Sequence, residues 1–166
     1  MGRDGERGRP PRARPPPHGG REDGRRMARL TGSAPHYTLL PVGRLTPHEE
    51  VDETDVDRLT KRIRADGAVH EPVLVDRATE VILDGHHRFH ALQQLGCRRI
   101  PCYCVDYLEP TIIVETWDSR ALIDKHELLR QALAGERYPI KTSRHRTLFD
   151  LPRQSTPIET LRGEDA

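Results

Sequence analysis

Aromatic side chains are scarce in this sequence, at 4% of 166 residues, and the hydrophobic fraction is only 34%. A chain so poor in apolar groups cannot bury its whole length, so part of it is expected to stay unfolded while the rest forms one domain of ordinary size. Long apolar runs are also missing. None could span a bilayer, and no signal-peptide core follows Met1, so a cytoplasmic protein with no membrane partner is the expectation. Excess charge is absent, because 27 Lys and Arg stand against 26 Asp and Glu for a formal net charge of +1. That balance argues against nucleic acid or an acidic membrane held by a dominant electrostatic field. Lysine is confined to Lys61, Lys125 and Lys141, a bias that base composition explains as readily as phosphate binding. The cysteines, Cys97, Cys102 and Cys104, lack the CxxC spacing of a metal knuckle or redox pair. Cys102 and Cys104 sit two apart on one face of an expected strand and read as small packing residues in a reducing compartment.

What the sequence does contain is organised around Val81–Leu92. Val81, Ile82 and Leu83 form an apolar, β-prone run, and Asp84-Gly85 turns the chain. A helix then places Phe89, Leu92 and Leu95 on one face, with Gly96 closing it. The unpaired N–H groups of a helix start attract anions, and His86, His87 and Arg88 add three potential cations on that turn. A phosphate site is the favoured reading. A plain structural turn is the alternative, and a His/His metal site is weaker because adjacent helical residues do not share a face.

Around this stretch the chain divides in two. Residues 1–35 are rich in Gly, Pro, Arg and acids and are expected to be a disordered arm, with residues 36–166 as the folded domain. A basic arm for RNA or DNA is diluted by Asp4, Glu6, Glu22 and Asp23, and Met27 is an alternative start. Strands are expected at Tyr37–Leu45, Pro72–Val75, Thr79–Leu83, Ile100–Asp106 and Thr111–Thr116. Val56, Leu59 and Ile63 mark a helix ended by Gly67. A second helix runs over Asp124–Ala134, with Asp124 and Glu127 spaced as a capping box. Tyr138–His145 reads as a polar loop, and a short Ile158–Leu161 segment follows.

The order Leu45-Thr46-Pro47-His48-Glu49, a helix closed by Gly67, Pro72–Val75 and Val81–Arg88 resembles the ParB N-terminal/sulfiredoxin fold. That implies an α/β domain with a small mixed sheet and flanking helices. Chromosome-partitioning ParB proteins carry Gly-Glu-Arg-Arg at the turn and a further helix-turn-helix domain. Sulfiredoxins carry a reactive Cys there, whereas no Cys precedes Cys97 here. The free L-serine kinases match better. Their Pro-His-Glu with its catalytic Glu is similar to Pro47-His48-Glu49, and their Asp-Gly-His-His-Arg stands intact at Asp84–Arg88. Their serine-contacting Trp corresponds to Trp117. Their serine-holding Pro-Lys-Thr-Thr-Arg-His is similar to Ile140-Lys141-Thr142-Ser143-Arg144-His145, in which Ser143 keeps a hydroxyl. One departure bears on the site: those kinases carry an inserted region where only Asp118–Pro139 lies here, which affects nucleotide choice or leaves the site open to water.

The resemblance implies phosphorylation of free L-serine to O-phospho-L-serine with Mg²⁺ and ATP or ADP. Phosphoryl transfer needs donors around the phosphates, usually a metal, and a group that orients or deprotonates the attacking hydroxyl. Gly85, His86, His87 and Arg88 supply the donors. Of Glu49 and Asp84, one can accept the hydroxyl proton while the other helps to hold Mg²⁺ or the nucleophile. Lys141, Thr142, Ser143, Arg144 and His145 would bind serine with Trp117, Arg144 pairing with its carboxylate. Two rivals remain: a ParB-like, nucleotide-dependent regulator of DNA, and a kinase for another hydroxy amino acid. Nucleotide, pathway and oligomeric state are open.

Overall fold

Apolar residues in the central strands occupy both alternating faces, the pattern of a sheet covered on two sides. The computed structural model describes residues 34–119 and 121–163. The arm expected over residues 1–35 lies outside the described residues apart from Ala34 and Pro35.

The main sheet comprises β1 (His36–Pro41), β5 (Arg99–Val105), β3 (Val73–Asp76) and β4 (Ile82–Asp84), in the order β1-β5-β3-β4. β1 is antiparallel to β5, β5 is parallel to β3, and β3 is antiparallel to β4. The mixed sheet expected from the resemblance is therefore present. Val73, Val75, Ile82, Ile100, Cys102 and Cys104 face one core cluster. Two helices cover this face, α1 (Glu53–Asp66) and α2 (His86–Gln94). Leu74, Val81, Leu83, Tyr103 and Val105 face the other cluster, filled by β6 (Ile112–Thr116) and α3 (Lys125–Leu133). β2 (Ala68–Val69) pairs with β8 (Thr156–Pro157), which leads into α4 (Ile158–Arg162). All three cysteines are free and buried, and burial raises each thiol pKa. Among the described residues no helix is long and apolar enough to cross a membrane.

Local chemistry sets the element ends. Asp52 Oδ1 accepts from the Asp55 N–H at 3.1 Å to open α1, and Gly67, at φ 71°, closes it. Asp124 opens α3 by accepting from His126 and Glu127 N–H groups at 2.9 and 3.2 Å. The expected capping box is only half formed, because Glu127 turns to Arg130 and Gln131, each at 3.0 Å, instead of back to Asp124. The strand expected at Thr79–Leu83 starts later, at Ile82. Asp76 Oδ2 accepts from both the N–H and the hydroxyl of Thr79, at 3.1 and 2.6 Å, which fixes a turn before β4. The polar loop expected at Tyr138–His145 is also corrected. Ser143–Thr147 form β7, antiparallel to β6 with Thr116 opposite Ser143 and Val114 opposite His145.

Candidate active site

Glu49 lies on a segment without helix or strand of its own, yet it is clamped from both sides. Thr46 bonds to β4 through Ile82 N–H at 2.8 Å and to Glu80 C=O at 3.1 Å. Two residues on, Tyr138 N–H donates to His48 C=O at 2.8 Å and Glu50 N–H to Tyr138 C=O at 2.9 Å. These bonds aim Glu49 into a cavity of about 560 Å³. Its side chain is 12% exposed. The Ser143 hydroxyl donates to its Oε2 at 2.9 Å. Burial raises the Glu49 pKa, outweighing the opposing Ser143 hydroxyl and the backbone N–H groups of Lys141, Thr142 and Ser143.

The opposite wall is the turn between β4 and α2. Gly85 has φ 98°, and a Cβ there would lie 3.0 Å from Arg88 Nη1 and 3.4 Å from Val73 Cα, so the chain passes over β3 only because the residue is glycine. Phe89 N–H makes the first intrahelical bond, to Gly85 C=O at 2.9 Å, which leaves the preceding N–H groups at the helix mouth without intrahelical acceptors. Asp84 is exposed beside them and lines the same cavity, as do Gly85, His86, His87 and Arg88.

The three cations expected on this turn are not all present. His86 is buried, and its Nε2 accepts the His48 N–H at 3.1 Å. Burial first, then His48 and His145, hold its pKa well below the usual value, so it is a neutral acceptor. His87 Nε2 accepts the Asp52 N–H at 3.3 Å. Arg88 lines the cavity while its guanidinium is engaged at the loop before β3, Nη1 donating to the Pro72 and Glu71 carbonyls at 2.9 and 3.3 Å and Nη2 lying 3.4 Å from Glu71 Oε2. The guanidinium thus braces the turn against the loop before β3, and the helix-start N–H groups are left as the donors nearest an anion.

The third wall comes from β6 and β7. Trp117, 53% exposed, donates from Nε1 to Ser143 C=O at 3.0 Å, and the Arg144 guanidinium stacks 5.0 Å over its ring. Trp117, Lys141 and Ser143 line the cavity, whereas Thr142, Arg144 and His145 stand outside that wall. Thr142 Oγ1 donates to Pro139 C=O at 2.7 Å. His145 packs inward, its ring 5.6 Å from His48 and its Nε2 3.1 Å from the Tyr107 hydroxyl. Its pKa is pushed down to about 3 by burial, then by His48 and Lys125. Lys141 has φ 57°, a left-handed kink where the motif enters β7.

Sequence reasoning missed several groups. His48, read only as the neighbour of Glu49, is wholly buried and bonded to Ser143. Arg62, His70 and Arg153 line the far end of the cavity. Arg62 looks in sequence like any charge on the solvent face of α1, and nothing local marks Arg153. Among the described residues no group of three or more His, Cys, Asp or Glu could hold a metal ion by itself. Mg²⁺ in phosphoryl transfer is commonly held by one or two carboxylates together with phosphate oxygens. Asp84, exposed and with no side-chain partner among the described residues, fits that use.

The ParB N-terminal domain profile matches residues 34–117. An ATP-dependent L-serine kinase of Desulfurococcus mucosus is 34% identical over 115 residues, which are 63% of this chain and 45% of that protein. An ADP-dependent L-serine kinase of Thermococcus kodakarensis is 28% identical over 85 residues, 49% of this chain and 35% of the relative. The chain thus spans less than half the length of these curated relatives in its matches. A solved free serine kinase in complex with AMP superposes with a TM-score of 0.70 at 16% identity, covering 80% of this chain and 96% of the other. That likeness carries the fold.

Proposed function

Because the chain belongs to the ParB N-terminal domain family, we propose that it is a free L-serine kinase, which transfers a phosphoryl group from an adenine nucleotide to the serine hydroxyl and releases O-phospho-L-serine. The observation that carries this reading is that Glu49 faces the Asp84–Arg88 turn across one cavity. A base and an anion-binding helix start are what a hydroxyl and a phosphate need. The names of the relatives, two L-serine kinases that use ATP or ADP, support the same substrate pair.

Each part has a role. The N–H groups at the start of α2 cradle the phosphates, where helix polarity favours negative charge. Glu49, with its pKa raised by burial, accepts the proton of the attacking hydroxyl as the oxygen bonds to phosphorus. Trp117 covers the serine, and Lys141 and Arg144 meet its carboxylate from the rim. Mg²⁺, beside Asp84, would neutralise phosphate charge. The loose, charge-rich transition state leaves positioning and neutralisation as the main work of the protein.

The test is direct. Purified protein with Mg²⁺ and L-serine is incubated with ATP and, separately, with ADP, and amino-acid analysis reads O-phosphoserine. Formation with either donor supports the reading and identifies the donor. No product with either, together with tight binding to duplex DNA, would reverse it in favour of the regulator. A parallel incubation with threonine or homoserine as acceptor separates the second rival.

A further inference from the structure

Behind the floor of the cavity, two acceptors compete for a single hydrogen. His48 is wholly buried, with Nδ1 2.5 Å from Ile82 C=O and Nε2 2.9 Å from Ser143 Oγ. The same Oγ lies 2.9 Å from Glu49 Oε2. A carbonyl only accepts, so Nδ1 must carry the ring hydrogen, and Nε2 of the neutral ring is a bare acceptor. When Glu49 is a carboxylate, it and Nε2 both lie within reach of the one hydrogen of the Ser143 hydroxyl. The carboxylate also has the backbone N–H groups of Lys141, Thr142 and Ser143, so with the hydroxyl turned to Glu49 the buried acceptor left short is His48 Nε2, which is unfavourable. A single added proton satisfies every position. A Glu49 carboxylic acid donates to Ser143 Oγ, and the Ser143 hydrogen then goes to His48 Nε2.

We propose that Ser143 and His48 are positioning residues that ready Glu49 to take up one proton, the hydroxyl turning from Glu49 to His48 as that proton arrives. The inference rests on the kinase reading only in naming the proton's source. In the balanced step the acceptor O–H bond breaks and its electron pair forms the O–P bond. The donor's terminal P–O bond cleaves onto the leaving nucleotide, and the proton goes to Glu49. The carboxyl group settles with its hydrogen on the oxygen facing Ser143. His48 gains no proton, because only its hydrogen-bond partner changes. After product leaves, Glu49 returns the proton to water in the cavity.

The surroundings direct the proton to the carboxyl group and away from the ring. The His86, His145 and Tyr138 rings pack around His48 at 4.5, 5.6 and 6.2 Å. None offers a counter-charge, since burial keeps His86 and His145 neutral and Tyr138 is held protonated. Burial also lowers His48 to about 4, against a raising bond from Ile82, while Glu49 moves upward. The charged and titratable groups that share the cavity with Glu49 are Glu50, Asp84, His86, His87, Arg88 and Lys141, with Arg62, Asp66, His70, Glu71 and Arg153 completing its lining. None of these touches Ser143 Oγ, so the exchange of its hydrogen is confined to Glu49 and His48.

The experiment uses the full chain without nucleotide. Isotope-edited infrared spectroscopy, with Glu49→Gln as the blank, follows protonation of the Glu49 carboxyl, and ¹⁵N NMR follows the His48 ring nitrogens over the same pH series. The expected result is a Glu49 midpoint above that of an ordinary glutamate. At that same midpoint His48 Nε2 should gain a hydrogen bond while the ring stays neutral. Ser143→Thr should keep the linkage and Ser143→Ala should abolish it. A His48 signal that is silent through the Glu49 transition, or a linkage that survives Ser143→Ala, would overturn the proposal. Because neither readout uses turnover, a protein that made no O-phosphoserine would sink the kinase reading and leave this result to stand or fall by itself.

Discussion

Replacing Gly85 by alanine tests the turn on which the site depends. The backbone there has φ 98°, where an L-residue is strained by roughly 1–2 kcal/mol. The new Cβ would also sit 3.0 Å from Arg88 Nη1 and 3.4 Å from Val73 Cα. The Val73 backbone belongs to the central sheet and cannot move aside, so the arginine must. Displacing it weakens the bonds to Pro72 and Glu71 carbonyls, and one hydrogen bond from a charged donor contributes about 1.5–3 kcal/mol. Together the loss is roughly 2.5–5 kcal/mol, which for a domain of this size lowers Tm by roughly 10–20 °C. Thermal unfolding followed by circular dichroism measures it, with Arg88→Ala as the companion. Arg88→Ala removes the bracing bonds but not the strain, and the double variant should fall below Arg88→Ala by the strain alone. If Gly85→Ala melted within about 2 °C of the parent protein, the close passage of this turn over β3 would be wrong.

Three further outcomes are expected. Glu49→Gln should lower kcat by about 10²–10⁴ with KM for serine within a few-fold; an unaltered kcat in the O-phosphoserine assay would move the base to Asp84. Arg144→Ala should raise KM for serine and leave kcat nearly unchanged, because the substrate carboxylate it would pair with does not change during transfer; steady-state kinetics showing the reverse would place Arg144 in the transition state. Acid should destabilise the fold early: His48 titrates at about 4 when folded against 6.5 ordinarily. Its contribution is therefore full above 6.5 and lost as pH falls toward 4. Tm measured in steps should already decline between pH 6.5 and 5, before most carboxylates titrate, and a flat profile there would contradict a neutral buried His48.

The sheet and the phosphate turn were legible because they are written in local patterns. The apolar run into Asp84-Gly85, the helix closed by Gly96 and the Asp124 cap need no distant partner to be recognised. β7 was not legible, since Ser143–Thr147 has no alternation of apolar and polar residues and becomes a strand only by pairing with β6. For the same reason Ser143 read as one hydroxyl in a polar loop, although the pairing places it between Glu49 and His48, 94 and 95 residues away in sequence. Arg88 was legible only in part. Its proximity to the turn was plain, but its carbonyl partners at Glu71 and Pro72 depend on how the loop before β3 folds back. The burial of His48 and His145 likewise depends on the second core cluster closing over them, which no window of sequence displays.

The separation of the β6–β7 ribbon from the four-stranded sheet gives the molecule two mechanical frames. The phosphate turn is rigidly mounted on β3 and β4, while Trp117, Ser143 and Arg144 ride on the ribbon. They meet in two ways: Ile112 and Val114 of the ribbon pack against Leu74, Leu83 and Val105 of the sheet, and beside the cavity the clamp of Glu49 through Tyr138 and the Ser143 hydroxyl ties them by hydrogen bonds. A repacking of that apolar contact would tilt the ribbon and change the distance from Trp117 and Ser143 to the phosphate turn. On the proposed kinase function, acceptor choice can then drift during evolution by remodelling the ribbon and the short Asp118–Pro139 connection, with the phosphate turn held constant.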